Sequence, residues 1–272
     1  MNTKDGLISS VFGAEESEAI ALYDAFAPGY DEAFAEPSLR SLYDGLAWEL
    51  VRQHLPPVPA TVVDVGCGTG RWARRLIEKG YTVIGIEPSP RMRDVLQSNL
   101  SSGALTVVAT DIEHAELPPG SAGAVLAMGS LQYVADPSAA LTRMTGWLRP
   151  DGFLCVHVDG LVALVLELIR LGRRNEAMQR LTDGRGIFSY GSKKAPLHLF
   201  DRLRLTSLLE TAGLMRVETR GILVTPSAFG RPACEVALAH DLPGLTSLER
   251  ALSNSPIMTD AGKHIMAWGW RR

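Results

Sequence analysis

Short apolar segments alternate with helical segments along most of this 272-residue chain, and this alternation constrains the fold more than any other feature. Segments such as TVIGI at 82–86 and GAVLAM at 123–128 are apolar at nearly every position. Strands of this kind belong in a sheet covered on both faces, and intervening helices require the strands to run parallel. The pattern predicts a doubly wound α/β sheet with strands at 61–65, 82–87, 105–110, 123–128, 152–158 and 214–223 and in the C-terminal HIMAWGW, and with helices at 70–79, 89–100, 137–148, 200–212 and, as a short region, 232–253.

Two regions depart from the alternation. Residues 14–36 and 38–54 carry apolar and aromatic residues at helical spacing, which predicts an N-terminal helical cap over residues 1–55. From about residue 160 to residue 199 the alternation stops, and this partly basic stretch predicts a helical lid. Residues 56–272 are then one domain that includes the lid, and its last two strands are expected to form a closing hairpin.

Composition excludes several classes of protein. The net charge of −3 gives no basic excess of the kind that attracts nucleic acid. Cys67, Cys155 and Cys234 are isolated, without C-x-x-C or paired-histidine spacing, so neither a disulfide framework nor a metal site is expected. The N-terminus lacks a secretory pattern, and no apolar run reaches the roughly 18 residues of a membrane span. These features predict a cytoplasmic protein.

The segment VVDVGCGTG at 62–70 places an acid and three alternate glycines at the end of an apolar strand. Glycine lets a ligand approach the backbone closely, and the second strand ends at Glu87, where a ribose-binding carboxylate is expected. A dinucleotide site has the spacing G-x-G-x-x-G and binds a pyrophosphate, which Asp64 would repel. We therefore expect a nucleoside cofactor with a cationic group, and a nicotinamide-dependent oxidoreductase is the less favoured alternative.

Together with three further segments, this motif resembles the class I S-adenosylmethionine-dependent methyltransferases. VVDVGCGTG resembles the first motif of that family, IEPSPRM at 86–92 the second and TDIEHAELP at 110–118 the third, and MGSLQYVADP at 128–137 resembles the segment after the fourth strand. The resemblance covers roughly residues 20–225 and the last strand. It implies a mostly parallel seven-stranded, Rossmann-like sheet, with S-adenosylmethionine as cofactor and S-adenosylhomocysteine as its product.

The resemblance also implies roles for individual residues. Glu87, followed by Pro88, would bind both ribose hydroxyls, and Met92 would pack near the adenine. Asp111 would meet the adenine amino group beside Ile112. The other implied cofactor contacts are Asp64, Gly66, Cys67, Gly68, Gly70, Met128 and Gly129, with Tyr30 and Tyr23 of the N-terminal segment as donors to the methionine carboxylate or, alternatively, as core residues. The Cys67 side chain is expected to fill the glycine turn, without a chemical role.

Methyl transfer from a sulfonium is an in-line displacement whose chemistry the cofactor brings, so the protein mainly aligns the reactants. Candidates for a base or for substrate orientation near the strand ends are Gln132, Tyr133, His157, Asp159 and His198. We favour His198, because imidazole titrates near neutrality and PLHLF lies where a lid folds back. A purely structural histidine is the alternative, and for His157, on a buried-looking strand, a structural role is favoured.

The substrate class rests on two features. Residues 128–131 depart from the Asn/Asp-Pro-Pro-aromatic stretch common in enzymes that methylate exocyclic base or amide nitrogens. Val165, Leu168 and Leu171 share one helical face, which predicts a lid over a small, partly hydrophobic molecule, although the same stripe could be core or a homodimer contact. We expect a small-molecule O-, N- or C-methyltransferase that binds neither nucleic acid nor membrane. A non-catalytic cofactor-binding or partner-binding protein is a further alternative.

Overall fold

The computed structural model describes residues 17–272. In that range seven strands form one sheet and two strands form a separate hairpin. The strands are β1 Thr61–Val65, β2 Thr82–Ile86, β3 Leu105–Val108, β4 Ala122–Met128, β5 Leu148–Asp159, β6 Arg185–Tyr190, β7 Lys193–His198, β8 Leu214–Ile222 and β9 His264–Arg271. The helices are α1 Glu18–Phe26, α2 Leu39–Val51, α3 Arg71–Glu78, α4 Pro90–Asn99, α5 Pro137–Trp147, α6 Leu161–Arg170, α7 Arg174–Asp183, α8 Arg202–Thr211, α9 Thr225–Phe229 and α10 Arg231–Ser253.

The large sheet has the strand order β3-β2-β1-β4-β5-β9-β8. Strands β1 to β5 pair in parallel, and β9 runs antiparallel between β5 and β8. The chain direction across the sheet reverses between β1 and β4, and open α/β sheets bind ligands at the carboxyl ends of their strands at such a point. The prediction of a doubly wound, mostly parallel seven-stranded sheet is confirmed.

Both faces of the sheet are covered, which explains strands that are apolar at consecutive positions. Val62 and Val63 are neighbours whose side chains lie on opposite faces, and both are fully buried. Helices α5 and α8 pack on the face of Val63, while α2, α3 and α10 pack on the face of Val62. The helices leave the carboxyl ends of β1, β2, β4 and β5 for the N-terminal segment and the lid to cover.

The N-terminal cap is helical, as predicted, but it consists of several short elements. Helix α1 ends at Phe26, and two 3₁₀ turns, Ala27–Gly29 and Asp31–Phe34, follow it. Pro28 lies in the first of these turns, and proline lacks the N–H that a helix interior would need. The part of the predicted cap before residue 17 lies outside the described residues, and the domain boundary at residue 55 stays a prediction.

The lid over 160–199 is only partly helical, so the prediction of a helical lid is wrong for its second half. Helices α6 and α7 are followed by the antiparallel hairpin β6–β7. Tyr190 pairs with Lys193, and Gly191 in the two-residue loop between them has a φ of +56°, which glycine adopts readily. The hairpin packs on α1, where the Phe26 and Tyr190 rings stack with centroids 4.3 Å apart. Cap and lid therefore form one roof over the sheet edge.

The C-terminal region also corrects one prediction. The helical region predicted at 232–253 is α10, Arg231–Ser253, which is kinked at Asp241, near Pro243. Strands β8 and β9 pair antiparallel as expected, but α9 and α10 lie between them in the chain, so they are not a tight hairpin. None of the helices within residues 17–272 combines the length and apolarity needed to span a membrane.

Candidate active site

The glycine-rich bend after β1 depends on backbone conformations that favour glycine. Gly66, Gly68 and Gly70 have φ angles of +72°, +54° and +84°. A Cβ on Gly66 would lie 2.6 Å from the Cβ of Ser130, so the bend sits directly against the segment after β4. Gly70 instead precedes α3, and a Cβ there would lie 3.1 Å from Cγ of Leu96. Gly70 therefore serves packing and, unlike Gly66 and Gly68, lines neither of the two cavities next to the bend in the described part of the chain.

Glu87 connects this bend to the end of β2. Its Oε2 accepts a hydrogen bond from the Gly68 N–H at 2.8 Å, and its Oε1 accepts one from the Ser89 N–H at 2.9 Å. Burial raises the pKa of the Glu87 carboxyl, although the two backbone N–H groups oppose this shift. The Glu87 carboxylate already accepts the hydrogen bond from the Gly68 N–H of the glycine loop, which a pyrophosphate would need, and this disfavours a dinucleotide.

A cavity at the sheet edge, which we call the cofactor cavity, has a volume of about 460 Å³. It lies between the roof and the carboxyl ends of β1, β2 and β4. Most residues predicted to bind the cofactor line it, namely Tyr23, Tyr30, Gly66, Gly68, Glu87, Pro88, Met92, Asp111, Ile112, Met128 and Gly129. Tyr133, predicted as a catalytic candidate, lines it as well. The volume is typical of a small-molecule site.

Asp111 is fixed at one end of this cavity by its own turn. Its Oδ1 accepts a hydrogen bond from the His114 backbone N–H at 2.9 Å and lies 2.6 Å from Nδ1 of the same histidine. At the same end, Met92 and Ile112 are buried and supply apolar wall. One polar group beside an apolar wall suits a flat, mostly apolar ring with a polar edge.

A smaller cavity of about 40 Å³, which we call the polar pocket, adjoins the glycine bend on the side of Asp64. Asp64 is only 2% exposed, and its Oδ2 has no hydrogen-bond partner among the residues that the structure describes. Burial, and then the negative charge of Glu87, raise the pKa of Asp64 to about 7, while the Ala73 backbone N–H opposes the shift. A cationic ligand group would compensate the buried carboxylate.

Cys67 also lines the polar pocket, but its thiol is packed against the sheet. A Cβ on Gly85 of β2 would lie 2.7 Å from the Cys67 Sγ, so the two residues are in close contact. Burial raises the pKa of the Cys67 thiol, with the charges of Asp64 and Glu87 acting in the same direction. A thiol with a raised pKa is a poor nucleophile.

Tyrosine hydroxyls border the cofactor cavity on the side of the lid. The Tyr23 hydroxyl donates a hydrogen bond to the Tyr133 hydroxyl at 3.2 Å. Burial raises the pKa of both phenols, and it raises the pKa of Tyr30 to about 12. All three tyrosines therefore stay neutral at physiological pH and can donate hydrogen bonds.

A third cavity, of about 180 Å³, lies between the end of β5, α6 and the β6–β7 hairpin, and we call it the acceptor cavity. The ring of Phe188 lines it and stacks on Tyr23 with centroids 6.3 Å apart. Tyr133, on the wall of the cofactor cavity, packs against the same lid cluster as Phe188. An aromatic partition of Tyr23, Tyr133 and Phe188 therefore separates the two larger cavities.

Asp159 is one of two acidic residues that line the acceptor cavity, and Glu167 is the other. Oδ1 of Asp159 lies 2.8 Å from Nδ1 of His264, and its Oδ2 accepts a hydrogen bond from Nε2 of Gln132 at 3.4 Å. Burial alone would raise the pKa of Asp159, but contact with His264, together with nearby His157 and Lys263, outweighs burial and lowers it. Asp159 is therefore ionised at neutral pH. Gln132 holds Asp159 and, within residues 17–272, lines none of the three cavities.

The helical face expected to cover a substrate is not the one that lines the acceptor cavity. Val165 and Leu168 are buried in the lid's own core, and Leu171 is 58% exposed. The lining residues of α6 are Ala163, Leu164 and Glu167. The face of α6 that borders the cavity therefore differs from the predicted one, and a lid over a substrate stays a prediction.

His198, the favoured proton acceptor, lies outside the walls of all three cavities built from the described residues. Its Nε2 is 3.1 Å from the Val134 carbonyl and 3.0 Å from the Arg185 guanidinium, and its Nδ1 is 3.5 Å from Arg204. Burial and these two cations lower the pKa of the imidazole. This environment favours the structural alternative, and we do not retain His198 as the base.

The polar pocket is also lined by Tyr43, which the sequence analysis did not single out, and by His157, for which it favoured a structural role. They come from α2 and β5, outside the four motifs, and His157 has the apolar neighbours expected of a core position. Sequence spacing gives no signal for them, because they meet only when α2 packs on the sheet.

Known proteins resemble this chain in both sequence and fold. The methyltransferase-domain family matches residues 63–156. An uncharacterized methyltransferase of Mycobacterium bovis is 36% identical over 100 residues, which are 37% of this chain and 40% of that protein. The chain therefore spans less than half the length of that relative.

Solved structures extend the likeness in fold. An S-adenosylmethionine-dependent methyltransferase from Mesorhizobium loti superposes with a TM-score of 0.54 at 16% identity, over 84% of this chain and all of that chain. A phosphoethanolamine N-methyltransferase from Haemonchus contortus, solved with S-adenosylhomocysteine, gives 0.60 at 16% identity, over 91% of this chain and 58% of that one.

The sequence motifs, the strand order of the sheet and the family match all indicate a methyltransferase domain. Residues 63–156 match the methyltransferase-domain family, and the fold is that of solved S-adenosylmethionine-dependent methyltransferases, one of them with S-adenosylhomocysteine bound. The site fits S-adenosylmethionine on independent grounds. Among the described residues, the buried Oδ2 of Asp64 has no hydrogen-bond partner, and a cationic group of the ligand would compensate it. The backbone at Gly66 leaves no room for a side chain. No cluster of three potential metal ligands occurs in the described range.

Proposed function

We propose that this protein transfers a methyl group from S-adenosylmethionine to a small, partly hydrophobic molecule bound in the acceptor cavity. The observation that carries the proposal is the pair of cavities separated by the aromatic partition, with the polar pocket adjoining the larger one. A cofactor and a separate acceptor need two adjacent sites whose reactive groups can meet.

The cofactor cavity supplies a contact for each part of the nucleoside. Glu87 accepts hydrogen bonds from the ribose hydroxyls while its backbone partners hold its orientation. Asp111 accepts from the adenine amino group, since its own turn engages only Oδ1. Met92 and Ile112 pack on the adenine ring. When bound, the cofactor supplies an electrophilic methyl group on a sulfonium.

The acceptor cavity sets the class of substrate. Its volume of about 180 Å³ suits a small molecule, and Leu164, Leu197 and Phe188 give it an apolar wall. Asp159 adds one ionised carboxylate, which can accept a hydrogen bond from an N–H or O–H group of the acceptor. The substrate would thus present a polar, methylatable group toward Asp159 and an apolar body toward the lid.

The protein contributes alignment and exclusion of water. The hydroxyls of Tyr23 and Tyr133 lie at the partition and can orient the accepting atom as neutral donors. The roof of α1 and the β6–β7 hairpin encloses the site. Fixing two reactants in a productive geometry is worth on the order of 7 to 11 kcal/mol, so a strong base is not required.

A label-transfer experiment tests this function. The protein is incubated with S-adenosylmethionine carrying a radioactive methyl group and with a cell extract separated into small-molecule, RNA and protein fractions. We expect label in the small-molecule fraction, and loss of that label for Tyr133→Phe combined with Phe188→Ala. Label in RNA or protein would refute a small-molecule acceptor, and cofactor binding without label in any fraction would indicate a non-catalytic binding protein.

A further inference from the structure

The lid carries a large share of the exposed apolar surface. Within residues 17–272, seven of the thirteen large hydrophobic side chains that are exposed lie in the lid at 160–199, which is less than a sixth of that range. Five of the seven lie on α6, on α7 and in the turn between them, and each is at least 44% exposed: Leu166, Ile169, Leu171, Met178 and Leu181. Single exposed apolar residues are ordinary, but a concentration of them marks an interaction surface.

The spacing of these residues places them on continuous helix faces. Leu166 and Ile169 are three residues apart on α6, and Met178 and Leu181 are three residues apart on α7. Residues at this spacing are neighbours on a helix surface. Helices α6 and α7 pack against each other, so both apolar faces belong to one pair of helices, which we call the α6–α7 pair.

Neither the core of the lid nor the acceptor cavity uses the exposed face of α6. The core of the lid contains Val165 and Leu168, and the acceptor cavity is lined by Glu167 of the same helix. Leu166 and Ile169 belong to neither set. A third face of α6 is therefore apolar and has no partner within the described part of the chain.

The lid is also the basic part of the chain. Residues 160–199 contain seven arginines and lysines and three acids, a net charge of +4, whereas the whole chain has −3, so the remainder has −7. Arg170 and Arg174, at the facing ends of α6 and α7, are exposed and form no ion pair with another described residue. Two of the three acids, Glu176 and Asp183, are paired with lid arginines. This charge separation would orient the lid toward an anionic surface.

The chemistry of the α6–α7 pair favours a lipid membrane over a protein or a nucleic acid. Aliphatic side chains flanked by arginines are typical of helices that lie in a membrane interface, and anionic headgroups attract such arginines. Protein hot spots are enriched in tryptophan and tyrosine, and RNA is often bound by aromatic stacking, but α6 and α7 contain no aromatic residue. The expectation that the chain binds no membrane came from the lack of a spanning run, and surface binding needs none.

We propose that the α6–α7 pair is a docking surface for bilayers that contain anionic phospholipid. The apolar side chains enter the boundary between headgroups and acyl chains, and the arginines contact the headgroups. The acceptor cavity lies on a neighbouring face of α6, so docking brings the lid of that cavity to the bilayer. This inference does not depend on the proposed function, which the label-transfer experiment tests separately.

Vesicle flotation tests the docking surface. The purified protein is mixed with vesicles of phosphatidylcholine alone, or of phosphatidylcholine and phosphatidylglycerol in equal amounts. The wild type is compared with the α6 double variant Leu166→Ser/Ile169→Ser and with Arg174→Gln. The matched control is Leu203→Ser/Val236→Ser, which removes two exposed apolar side chains outside the lid. The unfolding temperature of each protein is measured to confirm that it is folded.

We expect the wild type to float with the phosphatidylglycerol vesicles and to be released as the salt concentration rises, because salt screens the arginines. The α6 double variant should lower the partition coefficient about tenfold, through the loss of two apolar side chains. Arg174→Gln should lower it about fivefold, the effect of one basic residue near an anionic surface. The control variant should float as the wild type does.

Three results would overturn the inference: no flotation of the wild type with phosphatidylglycerol vesicles, equal flotation with both kinds of vesicle, or an equal loss in the α6 double variant and the control. Sedimentation velocity without vesicles tests the competing occupant. A dimer that the α6 double variant dissociates, in a protein that does not float, would assign this surface to a second copy of the chain.

Discussion

The cofactor cavity and the acceptor cavity face each other across one aromatic partition, yet they are built in different ways. The cofactor cavity takes most of its wall from four short segments that directly follow strands, near residues 66–68, 86–92, 111–114 and 128–135. The acceptor cavity draws on α2, β5, α6, the β6–β7 hairpin and the region of α9 and α10. The wall of the cofactor cavity therefore comes mostly from short sequence motifs, whereas the acceptor cavity forms only after distant elements pack together.

The two cavities also differ in which part of the chain determines their shape, the backbone or the side chains. Backbone geometry fixes the cofactor side, through the positive φ angles of the glycines and the N–H groups that orient Glu87. Side chains define the acceptor side, where Phe188 and Leu197 line the same cavity as the ionised carboxylate of Asp159. Substitutions on the two sides should therefore change different quantities, cofactor affinity on one and transfer on the other.

The largest effect is expected from the titration of Asp64 in the ligand-free protein. The pKa of this carboxyl is about 7 in the fold and 3.8 when unperturbed. The folded state therefore holds a proton that the unfolded chain releases, and this stabilisation is full below pH 3.8 and disappears as pH rises through 7. The free energy of unfolding should fall by about 3 kcal/mol between about pH 5 and pH 8.5 because of Asp64.

Urea unfolding of the wild type and Asp64→Asn at both pH values measures this contribution. The variant keeps the groups that face position 64, namely Glu87, Asp44, Arg71, His157, Cys67, Tyr30 and Tyr43, so the difference between the two proteins isolates Asp64. Saturating S-adenosylhomocysteine should reduce the difference, because an ammonium beside the carboxylate favours ionisation. Parallel pH profiles for the two ligand-free proteins would contradict the assignment.

The next largest effect is expected for Glu87→Ala. This change removes the proposed acceptor of the ribose hydroxyls and leaves the Gly68 and Ser89 N–H groups without their carboxylate. We expect the dissociation constant of S-adenosylhomocysteine to rise about 100-fold, the loss of two hydrogen bonds to a charged group. Calorimetry measures it, with the exposed Glu78→Ala as control. A change below about threefold would mean that β2 does not hold the ribose.

A smaller and selective effect is expected for Phe188→Ala in the lid. Loss of this ring opens the partition, so methyl transfer should fall about tenfold through looser alignment while the affinity for S-adenosylhomocysteine stays unchanged. Tyr190→Ala is the matched control, because Tyr190 lies in the same hairpin and stacks on Phe26 without lining either large cavity of the described chain. An equal loss of methyl transfer in both variants would show that the hairpin only supports the structure of the site.

The smallest functional effect is expected for His198→Gln. The ring contacts the Val134 carbonyl and two arginines, and these contacts stabilise the base of the hairpin. We expect a loss of about 1 kcal/mol in the free energy of unfolding and transfer within about twofold of the wild type. A fall in transfer of about 100-fold with unchanged stability would restore His198 as a proton acceptor.

How far the sequence predicts this molecule follows the same division. The strands around the glycine bend are apolar at consecutive positions because both faces of the sheet are buried, and that pattern predicted the sheet directly. Glu87 and Asp111 follow the ends of β2 and β3 in motifs of nearly fixed spacing, so their places on the cofactor cavity were predictable. For the sheet and the cofactor cavity, short sequence motifs were therefore sufficient for a correct prediction.

The lid shows where prediction from local sequence patterns fails. Residues 185–198 form a hairpin because α1 packs aromatic rings against it, and its own polar and basic composition gives only a weak strand pattern. His157 was assigned a structural role and His198 a chemical one, since a sequence does not show which buried imidazole meets arginines and which meets a cavity. Such distinctions depend on contacts between distant segments.

The most direct test of the central claim is a calorimetric titration of the purified protein with S-adenosylhomocysteine, run beside NAD and NADP. We expect one site per chain for S-adenosylhomocysteine and, at 100 times its dissociation constant, a gain of about 2.7 kcal/mol in the free energy of unfolding. Neither dinucleotide should bind, because the Glu87 carboxylate occupies the glycine-loop N–H. Binding of a dinucleotide without binding of S-adenosylhomocysteine would contradict the account.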